Sequence, residues 1–108
     1  MKIKIDIKPL SVNQCWQGKR FKTPLYESYE QEMMYALPKL SIASCRLKLS
    51  VTVGFSSKNA DIDNPIKPLL DILQKKYKFN DKQIYRLEIE KKDVKKGEEF
   101  IEFEIKNF

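Results

Sequence analysis

From Cys45 to Phe55 the chain alternates more regularly than anywhere else. Cys45, Leu47, Leu49, Val51, Val53 and Phe55 are separated by Arg46, Lys48, Ser50 and Thr52. A period of two places one set of side chains on one face of a strand and the other set on the opposite face. The chain must therefore build a sheet with one buried and one wetted side. Shorter runs repeat the pattern. Ile3, Ile5 and Ile7 alternate with Lys2, Lys4, Asp6 and Lys8 until Pro9 ends the run. Tyr85, Leu87 and Ile89 stand against Arg86, Glu88 and Glu90, and Ile101, Phe103 and Ile105 against Glu102 and Glu104. Lys95-Lys96-Gly97-Glu98 joins the last two runs as a hairpin turn.

Two segments change to a helical period. In the first, Thr23-Pro24 reads as cap and first residue. Tyr26, Tyr29, Met33 and Leu37 form its apolar stripe, Glu27, Glu30 and Glu32 sit in the early turns, and Pro38 stops it. In the second, Asn64-Pro65 opens the helix, and Ile66, Leu69, Leu70, Leu73 and Tyr77 give the buried face. Pro68 falls near its start, so an irregular first turn is expected. The order is β-α-β-α-β-β. A terminal hairpin requires antiparallel pairing, so the expectation is an α+β single domain over residues 1–108, with a mixed four-stranded sheet and helices on one face.

Composition narrows the function. The 108 residues fit one modest core but not two. No apolar run approaches the ~20 residues of a membrane span, and the alternating N-terminus does not read as a signal peptide. A cytoplasmic protein is expected, with no membrane partner and no small-molecule cofactor. Cys15 and Cys45 lie far apart and suit neither a metal motif nor a disulfide framework. There is no histidine, which excludes histidine-based triads, zinc sites and general bases. The net charge of +6 favours a polyanionic partner, nucleic acid first.

The connection from Pro9 to Thr23 is long, and Lys19, Arg20 and Lys22 cluster there beside Trp16 and Phe21. Cations with aromatics among them suit a nucleic-acid backbone and unstacked bases. A solvated loop pinned by its aromatics fits equally well.

The densest chemistry lies between Asp61 and Asp81. Asp61-Ile62-Asp63-Asn64 precedes the second helix, Lys67 sits on its first turn, Asp71 follows one turn later, and Asp81 lies past its end. Short carboxylates at loop-to-helix junctions are stiff oxygen donors of the kind Mg²⁺ favours. An extended Asp-Ile-Asp segment would turn both carboxylates one way and Ile62 into the core. The helix start would offer free N–H groups to a phosphate, and Lys67 could stabilise developing charge on it. Whether Asp81 returns to Asp61 depends on strand placement, which the pattern leaves open. The plainer reading makes these residues caps, a surface i,i+4 pair and a turn aspartate.

Taken together, Asp61-x-Asp63-Asn64-x-x-Lys67-x-x-x-Asp71-x-Leu73, followed by Asp81-x-Gln83-Ile84 and preceded by Pro9-x-Ser11-x-Asn13 with Trp16, resembles the RusA family of Holliday-junction resolvases. The family is common in phages and prophages, and the resemblance covers essentially the whole chain. It implies a homodimeric, Mg²⁺- or Mn²⁺-dependent endodeoxyribonuclease that serves DNA recombination and repair. Such an enzyme binds four-way DNA junctions by shape and resolves them by paired symmetric nicks. The residues matching its acidic metal-binding and catalytic positions are Asp61, Asp63 and Asp81, and Lys67 matches its catalytic lysine. Asn13, Trp16, Lys19, Arg20, Lys22 and Lys58 are the candidate DNA contacts. Asn80 stands where many members have a second aspartate, and Ser57-Lys58-Asn59-Ala60 stands where some have an arginine run. The rival readings are a catalytically inactive DNA-binding dimer of the same fold and a small protein-interaction module.

Overall fold

A computed structural model describes residues 2–18 and 21–108. The elements run β1 (Ile3–Ile5), a 3-10 turn (Val12–Gln14), β2 (Trp16–Gln17), β3 (Phe21–Lys22), α1 (Pro24–Ala36), β4 (Leu47–Phe55), α2 (Ile66–Tyr77), a second 3-10 turn (Asp81–Gln83), β5 (Ile84–Asp93) and β6 (Phe100–Asn107). The main sheet has the order β1-β6-β4-β5. Only β4 and β5 are parallel; the other neighbours are antiparallel. The expected mixed four-stranded α+β arrangement is therefore present. The connection from Pro9 to Thr23, by contrast, is not all loop. It holds a 3-10 turn and a small antiparallel ribbon of β2 and β3, with Gly18 at φ 68° after β2.

The core follows from the register. Leu49, Val51 and Val53 of β4 oppose Ile105, Phe103 and Ile101 of β6, and Phe103 and Ile101 oppose Ile3 and Ile5 of β1. All of these face the helices except where Ile105 emerges partly, and they pack in one cluster with Tyr26, Tyr29 and Met33 of α1 and Ile66, Leu69, Ile72 and Leu73 of α2. The opposite face carries Ser50 and Thr52 flanked by Glu88, Glu90, Glu102 and Glu104. On that face Gly54 lies against Phe100, whose ring carbons stand 2.5 Å from where a Cβ would be.

Helix ends obey local chemistry. The Thr23 hydroxyl accepts from the Tyr26 amide at 3.1 Å, and Pro24 takes the first helical position. Leu37 is extended because Pro38 follows it. The irregular start expected of α2 does not occur at Pro68. That residue is third in the helix, where an N–H would have no intrahelical acceptor, so its missing donor costs nothing. The cap differs too: Pro65 precedes Ile66 without a side-chain hydrogen bond. At the other end Lys78 adopts a left-handed φ of 58° and returns its N–H to Gln74 O.

Two strand expectations need revision. Cys45 is exposed and lies before β4, which starts at Leu47. In β5 the alternation does not bury its apolar members fully: Tyr85 is 60% exposed and Leu87 41%. β5 is one of the sheet's two outer strands, and a register shift at Leu47/Lys48 leaves Tyr85 as an inserted residue between Ile84 and Arg86.

Candidate active site

The segment holding Asp61 and Asp63 is not extended. Asn64 N donates to Asp61 O at 3.3 Å and Ile66 N to Asp63 O at 3.1 Å, giving consecutive turns that run into α2. Ile62 is consequently 41% exposed instead of core. Both carboxylates are exposed. Asn64 is the local organiser. Its side-chain amide donates to Asp61 Oδ2 at 3.3 Å, and its carbonyl accepts from Val12 N at 2.9 Å. That second bond ties the acidic turn to the amino-terminal segment, where the Ser11 hydroxyl accepts from Asn13 N at 3.2 Å within a capping box closed by Gln14. On the other side Lys91 of β5 donates to Lys58 O at 3.0 Å and Ala60 O at 2.6 Å. The backbone is thus fastened just before Asp61 and just after Asp63. A cavity of about 250 Å³ opens beside this turn, lined by Leu10, Ser11, Gln14, Phe55, Asn59 and Asp61 among others.

The helix start offers fewer donors than expected. Ile66 N is used by Asp63 O, and Pro68 has none, which leaves the Lys67 amide. The Lys67 side chain forms an ion pair with Asp71, Nζ to Oδ1 at 3.0 Å, so the i,i+4 pair of the plainer reading exists. Its hydrogen bond to Asp71 and that carboxylate's charge push the Lys67 pKa up. Slight desolvation opposes the rise, and the charge of Asp81 adds to it. Lys67 is therefore a fixed cation at physiological pH, and Asp81 is near enough for its charge to be felt.

The turn that carries Asp81 is held by three amide side chains, of which Gln74 bonds Asp81 itself. Gln74 of α2 donates Nε2 to Leu70 O at 3.2 Å and accepts from Asp81 N at 2.8 Å. The Asn80 side chain caps the 3-10 turn, accepting from Lys82 N at 3.0 Å, and Gln83 Oε1 accepts from Asn80 N at 3.1 Å. Gln83 Nε2 then donates to Ala43 O and Cys45 O, each at 3.1 Å. Asparagine caps about as well as aspartate, so Asn80 fills the structural role of an acid at this position.

β5 lies beside β4 and parallel to it, so Asp81 opens a strand at the end where β4 begins, while Asp61 follows the end where β4 finishes. Among the described residues no group of three His, Cys, Asp or Glu side chains could hold a metal ion. Asp61, Asp63 and Asp81 therefore do not form a closed three-carboxylate cage. The donor chemistry still fits a hard cation. Mg²⁺ is commonly held by only one or two carboxylates, with substrate phosphate oxygens and water completing the octahedron.

The expected DNA contacts fall into three groups. Asn13 and Lys58 are exposed, and Trp16 is 44% exposed with its ring edge-on to Tyr26 at 5.8 Å and 75°. Lys22 is engaged: its Nζ reaches Glu30 Oε2 at 3.0 Å, and Lys75 reaches Glu30 Oε1 at 2.8 Å. Burial works to raise the Glu30 pKa, but the hydrogen bonds from Lys75 and Lys22 outweigh it and leave the carboxyl below its ordinary value. Lys19 and Arg20 lie outside the described residues. Sequence reasoning assigned no role to Gln74 or Lys91, and read Asn64 only as the helix opening and, with Gln83, as part of the family motif. The only cue in the chain was the close spacing of amide residues to the aspartates.

A search among curated proteins finds no match to this chain. The family model described as endodeoxyribonuclease RusA matches residues 10–106, a span that takes in the acidic turn, Lys67, Asp81 and all but the first strand of the sheet. The chain belongs to the RusA endodeoxyribonuclease family.

Proposed function

We propose that this chain is a divalent-cation-dependent endodeoxyribonuclease that resolves four-way DNA junctions as a homodimer, each subunit making one of two symmetric nicks. The observation that carries the reading is Lys67. Fixed as a cation by Asp71 and sensing Asp81, it stands one helical turn past a rigid turn that exposes Asp61 and Asp63. A raised pKa disqualifies Lys67 as a general base and suits it to hold negative charge. Its ammonium has three donors and spends one on Asp71, so others remain for phosphate oxygens, where charge grows as the phosphodiester is attacked.

Asp61 and Asp63 would supply the first carboxylate oxygens to Mg²⁺ or Mn²⁺, and Asp81 would approach from the far end of α2. When bound, such a cation polarises the phosphate and lowers the pKa of an attacking water. With no histidine in the chain, the aspartates are the proton acceptors the site offers. Trp16 and the exposed Phe21 would stack on unpaired bases at the branch point, with Asn13 and Lys58 along the backbone.

The test is cleavage of a synthetic four-way junction with and without Mg²⁺, in the parent and in Asp63→Asn. The expected result is symmetric nicking that requires the cation and is lost in Asp63→Asn, while junction binding persists. Junction binding without cleavage by the parent, across Mg²⁺ and Mn²⁺, would favour the inactive DNA-binding reading instead.

A further inference from the structure

The cavity of about 250 Å³ beside the acidic turn has no part in the chemistry described so far. Leu10, Phe55 and Pro65 give it an apolar lining, and Gln14, Asn59 and Asp61 add polar groups. Leu10 and Pro65 are buried, so the apolar part belongs to the packed interior. Pockets that engulf a drug-sized ligand run to ~300–1,000 Å³, so this smaller one suits a single planar ring. We propose that it receives one unstacked base of the DNA, from a nucleotide flanking the cleaved phosphate, and that Asn59 meets the hydrogen-bonding edge of that base. This role presupposes the nuclease reading and adds a contact to it.

Asn59 has a fastened backbone and a free side chain. Its N–H donates to the Ser57 hydroxyl at 3.3 Å. The Lys91 ammonium grips the carbonyls on either side of it, Lys58 O at 3.0 Å and Ala60 O at 2.6 Å. The same ammonium lies 5.6 Å from the centroid of the Phe55 ring, so one lysine positions the aromatic and the amide together. The Asn59 side chain has no hydrogen-bond partner among the described residues, which leaves two donors and an acceptor for a ligand. Gln14 accepts from Ser11 N through Oε1 and keeps Nε2 uncommitted. Asp61 also lines the cavity. A phosphate drawn to Asp61 through a cation brings with it a base only one sugar away. Extruding a base costs least where pairing is already interrupted, as it is at a branch point. Trp16 and Phe21 line a different hollow, so the base placed here is not one that they stack on.

The experiment compares cleavage rates in Mg²⁺ for synthetic four-way junctions, intact or lacking one base at a position flanking the cut. Asn59 is exposed, and its replacement leaves the aspartates and Lys67 in place. Asn59→Trp fills the cavity, whereas Asn59→Leu keeps the side chain's size and removes its donors and acceptor. In the parent, removing the base at one flanking position should slow cleavage about tenfold, as expected for a lost two-point base contact. Removal at the other positions should do much less. Asn59→Trp should cut the intact junction about tenfold more slowly than the parent does, yet cut the junction lacking that base at the parent's rate. Asn59→Leu should fall between the two on the intact junction and match the parent on the other, and it carries the same test should the tryptophan disturb the fold. Equal slowing of both junctions by both variants overturns the proposal, because Asn59 would then act on the fold or the cation site. So does parental cutting of the intact junction by Asn59→Trp, or indifference of the parent to every missing base. A parent that cuts no junction removes the nuclease reading together with this one. Any of the three preceding outcomes, in a parent that cuts, removes the base site alone.

Discussion

The two acid-bearing connections are fastened by different chemistry. Around Asp61 and Asp63 the ties are mostly to backbone: Val12 N reaches Asn64 O, consecutive turns link Asp61 to Ile66, and the Lys91 ammonium grips two carbonyls. Around Asp81 the ties are amide side chains, from Gln74, Asn80 and Gln83. The first connection is therefore anchored from three separate parts of the fold, the amino-terminal segment, β5 and α2. The second has backbone bonds within its own turn, but is joined to α2 and to the segment before β4 through the side chains of Gln74 and Gln83. A site assembled from both has one rigid half and one adjustable half, and the adjustable half carries the carboxylate that lies farther from its partners.

That contrast can be broken from either side. The largest effect is expected at Lys91, which is half-buried over the Phe55 ring at 5.6 Å. Lys91→Met keeps the stem and removes two charged hydrogen bonds, so unfolding in urea should show a loss of about 2 kcal/mol. Protease cutting between residues 56 and 60 should appear with it. Unchanged stability would mean that the backbone ties alone fix the Asp61 turn. Gln83→Ala comes next. It abolishes two carbonyl contacts and half of a capping box, with an expected cost of about 1–2 kcal/mol by the same measurement. Gln74→Ala should cost about 1 kcal/mol or less in stability, because its partners keep access to water. Its effect on junction cleavage should be larger, up to about 100-fold, as expected when a catalytic group is displaced by an ångström. If Gln74→Ala cuts at the parental rate, the clamp on Asp81 is irrelevant to chemistry.

The same contrast explains what the sequence discloses. β4 and β5 both alternate, yet only β4 is buried as its pattern implies. Periodicity tells which face a side chain takes, whereas burial depends on strand order, and strand order is set by contacts distant in sequence. For the same reason the α1 cap at Thr23 and the stop at Pro38 are legible, because their causes lie within four residues. The turn at Asp61 is not: Ile62 is exposed because Val12 and Lys91 hold the backbone from outside the motif. That aspartates and a lysine flank the second helix was readable from spacing, and the family from the resemblance those residues carry. The adjacency of β4 and β5, which sets Asp81 apart from Asp61, became visible only when the sheet was ordered.

The smallest effect expected concerns protons on Lys67. Its folded-state pKa is raised, chiefly by the hydrogen bond to Asp71 and then by that carboxylate's charge. A raised pKa adds stability that is complete below the unfolded value and vanishes as pH climbs through the folded one. The pair is well exposed, 60% at Lys67 and 36% at Asp71, so Asp71→Asn should change stability at neutral pH by no more than about 0.5 kcal/mol. The titration is the sensitive readout. Side-chain NMR of Lys67 in Asp71→Asn should show the pKa falling toward the ordinary lysine value, with only the weaker pull of Asp81 left to hold it up. The alkaline limb of the cleavage profile should move to lower pH in step, because an uncharged amine no longer stabilises the phosphate. A titration that stays put would mean Asp71 does not set the charge of Lys67. A titration that moves while the cleavage profile does not would detach Lys67 from catalysis altogether.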